Sequence, residues 1–337
     1  MDKTEGRIRV VKNSIRKRKK EKNDAVTMAA KNSGRFAEFR RGMSKSKALW
    51  LMFALPAVWY FIFCYIPMYG LSISFLDYNV VKGFRGSEWV GLEYLKKIFS
   101  DPIFWQSLKN TVVLSGLDIL WSFPAPIILA LLLNEVRRGL FKNTVQSISF
   151  FPNFVSTVVL CGMVVNFLVT DGLLNQILSV IIPNYQSQQF LTNPDYFRTI
   201  YIASGIWKNT GWESLVYIAA LTAIDPQLYE AAKIDGAGRF KQIIHITLPG
   251  IFPTIAIMFI LAIGRIVSVS FEKILLLYTG STRVVADVIQ TYVYRLGVLG
   301  ADFSYSTAVG LFQSVVAFAL VYLANYLTKR LSGSGLW

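Results

Sequence analysis

Long apolar stretches alternate with shorter polar ones along this chain. Six apolar stretches each exceed 20 residues, and about 20 residues of helix span the hydrocarbon core of a bilayer. We therefore predict an all-α membrane protein with six transmembrane helices, at residues 48–76, 104–133, 143–170, 199–224, 250–271 and 303–328. Three longer connections are predicted to lie outside the cell, at residues 77–102, 171–198 and 272–302.

The composition agrees with this prediction. The chain is 53% hydrophobic and only 16% charged, whereas charged residues make up about 25% of a typical soluble domain. Its two cysteines, Cys64 and Cys161, lie inside apolar stretches, where cysteine packs like a small hydrophobic residue. The single histidine, His245, has no cysteine or second histidine nearby. We therefore expect neither a disulfide framework nor a metal site.

Basic residues are concentrated before the first apolar stretch. Residues 1–47 contain 16 Lys and Arg against 5 Asp and Glu. We interpret this segment as a cytoplasmic tail that touches anionic lipid headgroups, with residues 36–47 as a short helix on the membrane surface. The sequence shows no nucleic-acid-binding fold that such a basic arm would serve, so we expect no nucleic acid partner.

The placement of Lys and Arg orients the six predicted helices. With both termini inside, the inner segments hold 24 of the 35 Lys and Arg residues. The outer segments hold 10, counting the outer parts of the second and fourth predicted helices. Positive residues favour the cytoplasmic side of a membrane protein. The N- and C-termini and the polar loop at 225–249 are therefore predicted to be cytoplasmic.

The loop at 225–249 contains the most distinctive pattern in the chain. Its sequence from Glu230 to Pro249 is EAAKIDGAGRFKQIIHITLP. The pattern predicts a helix, a turn at Gly236 and Gly238, and a second short helix that ends at Pro249. The two consecutive alanines leave a smooth surface that a partner can approach closely.

This loop resembles the EAA motif of importer-type ABC permeases. In that family Glu-Ala-Ala is followed by a glycine, six residues after the Glu and within Asp-Gly-Ala, and then by Ile-x-Leu-Pro. The matching residues here are Glu230, Ala231, Ala232, Asp235, Gly236, Ala237, Ile246, Leu248 and Pro249. The resemblance implies that the loop is a cytoplasmic coupling helix, which docks into a cleft on an ATP-hydrolysing subunit.

The resemblance also implies a role for each part of the motif. The Glu-Ala-Ala triplet forms the docking face. Asp235 and Gly236 shape the turn, and Leu248 and Pro249 connect the coupling helix to the fifth transmembrane helix.

Further stretches extend the resemblance over nearly everything from residue 48 onward. They are similar to one branch of the type I, maltose-permease-like importer permeases, which takes up polysaccharides or oligosaccharides. The stretches are WVGLEYLKKIFSDPIFW at 89–105, FPAPIILALLLNE at 123–135, FEKILLLYTG at 271–280, DVIQTYVYRLG at 287–297, FSYSTAVGLFQSVVAFALVYLAN at 303–325 and the final Gly-Leu-Trp. The resemblance implies a type I ABC importer permease (MetI-like) fold, with a basic tail at 1–47 and a permease domain at 48–337.

The same resemblance implies the partners of the chain. A second permease subunit completes a heterodimer, two ATP-binding subunits bind ATP and Mg²⁺, and an extracytoplasmic solute-binding protein delivers an oligosaccharide. The chain itself lacks the Gly-x-x-x-x-Gly-Lys-Ser/Thr loop that cradles phosphates. We therefore expect no enzyme activity and no cofactor on this chain, and we expect it in the cell membrane, in contact with lipid.

Charged residues inside the predicted helices are candidates for the substrate pathway. A charge at membrane depth is costly and usually faces a cavity or a charged partner. Asp118, Glu213 and Arg265 are in this position. Asp118 and Arg265 either pair with each other or contact substrate, and the sequence leaves both alternatives open.

Aromatic residues beside polar ones are candidates for a sugar site, because a pyranose ring offers an apolar face for stacking and hydroxyls for hydrogen bonds. The residues that fit this description are Asn166, Trp207, Trp212, Glu213, Phe271, Glu272 and Tyr278. Trp and Tyr also concentrate at membrane interfaces, so interfacial anchoring is the alternative explanation.

Two other classes of function compete with an importer permease. A secondary transporter driven by an ion gradient, moving a small polar solute, would explain Asp118 and Arg265. It would not explain the EAA-like loop. A membrane-anchored scaffold whose tail binds an acidic partner would explain the basic tail and nothing else.

Overall fold

The computed structural model describes residues 47–136, 139–266 and 269–332. The predicted basic tail with its surface helix, up to residue 46, lies outside this range, as does the Gly-Leu-Trp end of the chain. The chain divides into two units, one that ends at Gly70 and one that begins at Leu71.

The first unit contains most of the first apolar stretch. Helix α1 covers Lys47–Tyr60 and continues as a π-helical segment, Phe61–Tyr65, and a 3₁₀ segment, Ile66–Phe75. Nearly all of its large apolar side chains are exposed, and Trp59 and Phe63 contact each other with 5.5 Å between ring centroids. A helix that is apolar all round is suited to lipid surroundings.

The second unit is a bundle of helices with one small hairpin. In chain order, its strands and α-helices are β1 (Leu76–Asp77), α2 (Gly83–Gly86), β2 (Glu88–Trp89), α3 (Glu93–Ser100), α4 (Pro102–Ser122), α5 (Pro124–Glu135), α6 (Leu140–Phe150), α7 (Thr157–Leu168), α8 (Leu173–Ile181), α9 (Pro194–Thr222), α10 (Pro226–Ile234), α11 (Arg239–Gln242), α12 (Leu248–Gly264), α13 (Phe271–Leu277), α14 (Arg283–Ala286), α15 (Ile289–Tyr294) and α16 (Phe303–Ser332). A 3₁₀ turn, Phe151–Phe154, and two π-helical segments, Ile243–Thr247 and Arg295–Leu299, connect some of them. The two strands pair antiparallel, with Leu76 opposite Trp89.

Most of the predicted transmembrane helices are recognisable in the structure. Among the described residues, five helical stretches are long and apolar enough to cross a membrane: Ala48–Phe75, Pro102–Glu135, Thr157–Ile181, Arg239–Gly264 and Phe303–Arg330. Helix α9 has 29 residues, but it carries Lys208 and Glu213 and is not one of these five. The all-α fold is confirmed, and the count of six transmembrane helices stays a prediction.

The third predicted helix, at 143–170, is interrupted in the structure. Pro152 lies in the 3₁₀ turn that separates α6 from α7. Ser156 then caps α7, because its Oγ accepts a hydrogen bond from Val159 N at 3.3 Å. Helix α7 ends at Leu168, close to the predicted end at residue 170, and α8 extends the apolar stretch to Ile181.

The connection at 272–302, predicted to be external, packs partly against the helices of the bundle. The side of the membrane on which it lies stays a prediction. Helix α13 packs against α7 and α9. Its Ile274 and Leu277 belong to one core cluster with Leu114 of α4 and Tyr201 of α9. The sequence pattern missed this packing because α13 has only seven residues and follows a break in the fifth predicted helix.

Polar side chains of α4 satisfy the irregular backbone that enters the bundle. Asn110 Nδ2 donates to the carbonyl oxygens of Val284 at 2.8 Å and Asp287 at 3.0 Å. Thr111 Oγ1 accepts a hydrogen bond from Ile289 N at 2.9 Å. Buried backbone outside a regular helix needs such partners. These side chains therefore stabilise the segment around α14 and α15 inside the bundle.

At the end of the bundle where α4 begins, Asp101 joins three elements. Its carboxylate accepts hydrogen bonds from Tyr292 Oη, from Tyr305 Oη at 2.7 Å, and from Ile103 N at 2.9 Å as the cap of α4. Burial alone would raise the pKa of Asp101, but the tyrosine and backbone hydrogen bonds stabilise the carboxylate and hold its pKa below the usual value.

Candidate coupling surface and substrate cavity

Helix α10, within the EAA-like loop, begins at signals in its own sequence. Asp225 is its N-cap, and Asp225 Oδ1 accepts a hydrogen bond from Gln227 N at 2.9 Å. Pro226 occupies the first helical position, where the missing N–H costs nothing. The start of α10 is therefore independent of the rest of the bundle.

The end of α10 is equally local. Gly236 has φ = +75°, in the left-handed region that glycine adopts without steric cost. Its N–H donates to Lys233 O at 3.1 Å, and Ala237 N donates to Ala232 O at 2.8 Å. These two hydrogen bonds form a Schellman motif. The predicted helix followed by a glycine turn is thus present, and the turn requires Gly236.

The surface of α10 and its turn is accessible. Glu230 and Ala231 are exposed and Ala232 is half-buried. Large apolar side chains on α10 and just after its turn are also exposed: Leu228, Ile234 and Phe240, with Ile234 at 87%. Exposed apolar groups rimmed by polar ones mark contact sites for other proteins. We call the surface formed by Leu228–Ile234, the turn and Phe240 the coupling surface.

Side-chain hydrogen bonds attach the coupling surface to the start of α12. Tyr229 Oη and Thr247 Oγ1 are 3.0 Å apart. Gln242, which is buried, donates from Nε2 to Ala237 O at 2.7 Å. The turn and α10 are therefore fixed to the helix that follows them.

The second short helix predicted in this loop does not end at Pro249. Helix α11 continues through the π-helical segment Ile243–Thr247 into α12, and the stretch Arg239–Gly264 is helical throughout. Proline lacks the N–H that an α-helix needs at an interior position. The wider turn of a π-helical segment relieves that conflict, so the chain passes from the coupling surface to the bundle without a break.

One ion pair connects this loop to the end of α5. Arg239 Nη1 lies 3.8 Å from Glu135 Oε2. Both side chains are accessible, so the pair contributes little to stability. It does show that the EAA-like loop lies at the same end of the bundle as the connection between the second and third predicted helices.

A cavity of about 350 Å³ lies inside the bundle. Its walls come from α4, α7, α9, the end of α12 and α13. The polar and charged residues that line it are Ser115, Asp118, Ser122, Thr157, Tyr201, Lys208, Asn209, Thr210, Glu213, Arg265, Ser270 and Lys273. Ligand sites in proteins have volumes of about 300–1,000 Å³. The size and lining suit a small polar ligand.

Five charged side chains face this cavity: Asp118, Lys208, Glu213, Arg265 and Lys273. The three ion pairs within 4.0 Å in the described part of the chain all involve other residues. Charged side chains that are not held in a short-range ion pair are available to bind a ligand. The cavity therefore has the character of a polar binding site rather than of a sealed core.

The possible pairing of Asp118 with Arg265 can be compared with the structure. Asp118 Oδ1 accepts a hydrogen bond from Ser122 Oγ, one turn further along α4, at 2.7 Å. Arg265 lines the same cavity. Within the described residues no ion pair of 4.0 Å or less joins the two side chains, so both face the cavity.

Of the eight residues predicted for the substrate pathway, the cavity includes Asp118 and Glu213. Trp207 and Trp212 are on α9 beside cavity residues, but each is nearly half exposed. Asn166 and Glu272 are exposed. The other two, Phe271 and Tyr278, are half-buried, and Phe271 packs against Tyr294. These assignments to the pathway stay predictions.

Lys273 is a charged cavity residue that the sequence prediction missed. It is only 7% exposed, and its Nζ donates to Tyr201 O at 2.5 Å. The signal was a single lysine directly before four aliphatic residues. The sequence prediction assigned 272–302 to an external connection and did not consider this lysine as a cavity residue.

Together these features define a class of protein: a multi-span membrane subunit with an internal polar cavity and a protruding contact helix. Among the residues that the structure describes, no group of three His, Cys, Asp or Glu could hold a metal ion. Residues 122–333 match the family described as "Binding-protein-dependent transport system inner membrane component". The chain belongs to this family, and it is a multi-pass permease of the cell membrane.

Two curated relatives come from Bacillus subtilis (strain 168). The chain is 42% identical to Protein LplB, over 94% of this chain and 98% of LplB. It is 44% identical to the polygalacturonan/rhamnogalacturonan transport system permease protein YteP, over 87% of this chain and 91% of YteP.

A solved structure is also similar. A chain of a bacterial alginate ABC transporter, crystallised in complex with an alginate pentasaccharide-bound periplasmic protein, superposes with a TM-score of 0.81. The two chains are 41% identical, and the match covers 88% of this chain and 99% of that chain. The predicted type I ABC importer permease fold and the resemblance to sugar-importer permeases are confirmed.

Proposed function

We propose that this chain is one of two permease subunits of an ATP-driven importer that takes an oligosaccharide into the cytoplasm. An extracytoplasmic binding protein delivers the substrate, and two separate subunits bind ATP and Mg²⁺, so this chain carries no cofactor and no catalytic residue of its own. The names of the relatives support the substrate class, since YteP is a polygalacturonan/rhamnogalacturonan permease and the similar structure is an alginate transporter.

The observation that carries this proposal is the continuity between the coupling surface and the cavity. Tyr229 and Thr247 attach α10 to the helical stretch Arg239–Gly264. Arg265, the residue directly after that stretch, lines the cavity. A displacement of α10 by a partner therefore reaches the cavity wall through one continuous helix.

In the proposed cycle, the ATPase subunits close when they bind ATP and move the docked α10. The helix from Arg239 to Gly264 transmits this movement, and the cavity changes from facing inward to facing outward. Substrate enters from the binding protein, and it leaves on the inside after ATP is hydrolysed.

Each part of the EAA-like motif has a role in this proposal. Glu230, Ala231 and Ala232 form the docking face of α10. Asp235, Gly236 and Ala237 form the turn that ends it, and Leu248 and Pro249 begin the helix that leads to the cavity. Asp118 and Glu213 contribute to the substrate pathway.

Co-purification tests the docking role. The chain is expressed with the subunits encoded beside its gene, as the wild type, as Glu230→Arg and as Asp195→Arg. Asp195 is an equally exposed acidic residue at the opposite end of α9, and it serves as the matched control. We expect an ATPase subunit to purify with the wild type and the control and to be lost from Glu230→Arg. Retention of the ATPase by Glu230→Arg would contradict the proposed docking face.

A further inference from the structure

Two lysines of the cavity have neutral oxygen partners instead of carboxylates. Lys208 Nζ donates to Thr157 Oγ1 at 3.0 Å. Lys273 Nζ donates to Tyr201 O at 2.5 Å and lies 4.3 Å from the centre of the Tyr201 ring. No ion pair within 4.0 Å involves either lysine in the described part of the chain.

The two lysines belong to the same part of the cavity. Tyr201, Gly205 and Lys208 all line the cavity from α9. They are four and three residues apart, so they lie on one face of this helix. Gly205 leaves room for the neighbouring ammonium group, since a Cβ built there would be 3.1 Å from Lys273 Nζ. Lys208 and Lys273 also interact electrostatically, and their like charges repel.

The two cavity carboxylates do not cancel this charge. Glu213 interacts electrostatically with Arg265 as well as with Asp118. Asp118 interacts electrostatically with Lys273. Three cations against two carboxylates leave the cavity with a formal excess of one positive charge.

A charged group that is buried without a partner is costly, and a carboxylate that accepts hydrogen bonds from ammonium groups offsets that cost. We propose that Lys208 and Lys273 bind the carboxylate of a uronate residue, so that the transported oligosaccharide is acidic. This inference rests on the proposed function and adds the charge of the substrate and the residues that recognise it. One carboxylate group between the two ammonium groups neutralises the excess charge of the cavity.

The test measures uptake by the whole transporter, reconstituted in liposomes with its partner subunits and binding protein. The substrates are a galacturonate oligosaccharide and the same oligosaccharide with its carboxyl groups reduced to alcohols. The variants are Lys208→Gln, Lys208→Arg and, as a matched control, Lys109→Gln. Lys109 is an exposed lysine on α4 that does not line the cavity.

We expect Lys208→Gln to slow uptake of the acidic sugar about tenfold, the effect of losing one charge-assisted hydrogen bond. Uptake of the reduced sugar stays unchanged, and Lys208→Arg and Lys109→Gln behave like the wild type with both sugars. If the binding protein does not deliver the reduced sugar, the inference is tested by comparing uptake of the acidic sugar in Lys208→Arg with that in Lys208→Gln.

Other results would overturn the inference in distinguishable ways. If Lys208→Gln slows both sugars equally, or if Lys208→Arg is as slow as Lys208→Gln, Lys208 has a structural role and the carboxylate site is wrong. If the wild type moves only the reduced sugar, the substrate is neutral. If the wild type moves neither sugar and neither stimulates its ATPase, the proposed oligosaccharide import itself fails, and the carboxylate site fails with it.

Discussion

The coupling surface and the cavity are built in opposite ways. The coupling surface lies within one contiguous stretch, from Asp225 to Gln242. The helix cap, the glycine turn and the hydrogen bonds that close the turn belong to the same stretch. The cavity is lined by residues from Ser115 to Lys273, which four α-helices and the end of a fifth bring together. A partner-binding surface can be specified locally, whereas this substrate site exists only in the assembled bundle.

The two regions also differ in what a substitution disturbs. A change on the coupling surface alters a local conformation or an exposed contact and leaves the packing of the bundle intact. A change in the cavity alters a charge among four others in a confined space. A change on the coupling surface should separate ATP hydrolysis from transport. A change in the cavity should alter transport while the ATPase remains bound.

The largest effect is expected from Gly236→Val. The left-handed conformation of Gly236 costs other residues about 1–2 kcal/mol, and a β-branched residue tolerates it poorly. The end of α10 should therefore rearrange. We expect a protein that is inserted in the membrane but lacks substrate-stimulated ATPase activity, measured in proteoliposomes.

Gly236→Asn is the matched control, since asparagine adopts the left-handed conformation more readily and a Cβ at this position meets no atom within 4 Å. It should keep most of the stimulated activity. Normal stimulation in Gly236→Val would show that the turn is not needed for coupling.

A second comparison uses two carboxylates that the sequence assigned to the substrate pathway. Asp118 lines the cavity, whereas Glu272 is exposed and does not. We expect Asp118→Asn to reduce uptake about tenfold, the effect of one charged hydrogen-bond partner, and Glu272→Gln to have little effect. Co-purification of the ATPase should be unchanged in both. Equal losses of uptake would indicate that the cavity of this subunit does not define the pathway.

A smaller effect, on stability alone, is expected at Asp101. The pKa of its carboxyl is lowered in the folded protein, since the hydrogen bonds from Tyr292 and Tyr305 outweigh the effect of burial. Its contribution to stability is therefore present above the unfolded pKa of about 3.9 and is lost as the pH falls through the lower folded value. At neutral pH, Asp101→Asn should have a lower thermal midpoint than the wild type. As the pH falls, the midpoint of the variant should decrease less than that of the wild type.

The control for this measurement is Asp195→Asn, at an exposed carboxylate in the first turn of α9. It should retain the acid dependence of the wild type. An unchanged pH profile for Asp101→Asn would show that the contacts with the two tyrosines contribute nothing to stability.

The smallest effect is expected from deleting residues 1–35. The coupling surface and the cavity both lie beyond Leu71, so we expect neither to require this segment. Uptake by the reconstituted transporter should largely survive. A loss of transport with normal membrane insertion would favour a scaffold role for the basic tail.

Much of the fold was predictable because its signals are local. Three Asx-Pro pairs start helices α4, α9 and α10, at Asp101, Asn193 and Asp225, and in each pair the Asx side chain caps the helix. The apolar stretches predicted an all-α membrane protein, and the EAA-like loop led to the permease family, which the comparisons confirm. The predicted coupling and pathway residues are still to be tested.

By itself, then, the sequence determined the class of protein, the apolar helices and the conformation of α10, because each depends on residues within a few turns of one another. Only the tertiary structure decided that α13 lies inside the bundle, that Lys273 faces Tyr201, and that three cations share one cavity with two carboxylates. Side-chain hydrogen bonds from α4 to backbone more than 170 residues away stabilise that arrangement. No local pattern contains such partners, because they become neighbours only when the helices pack.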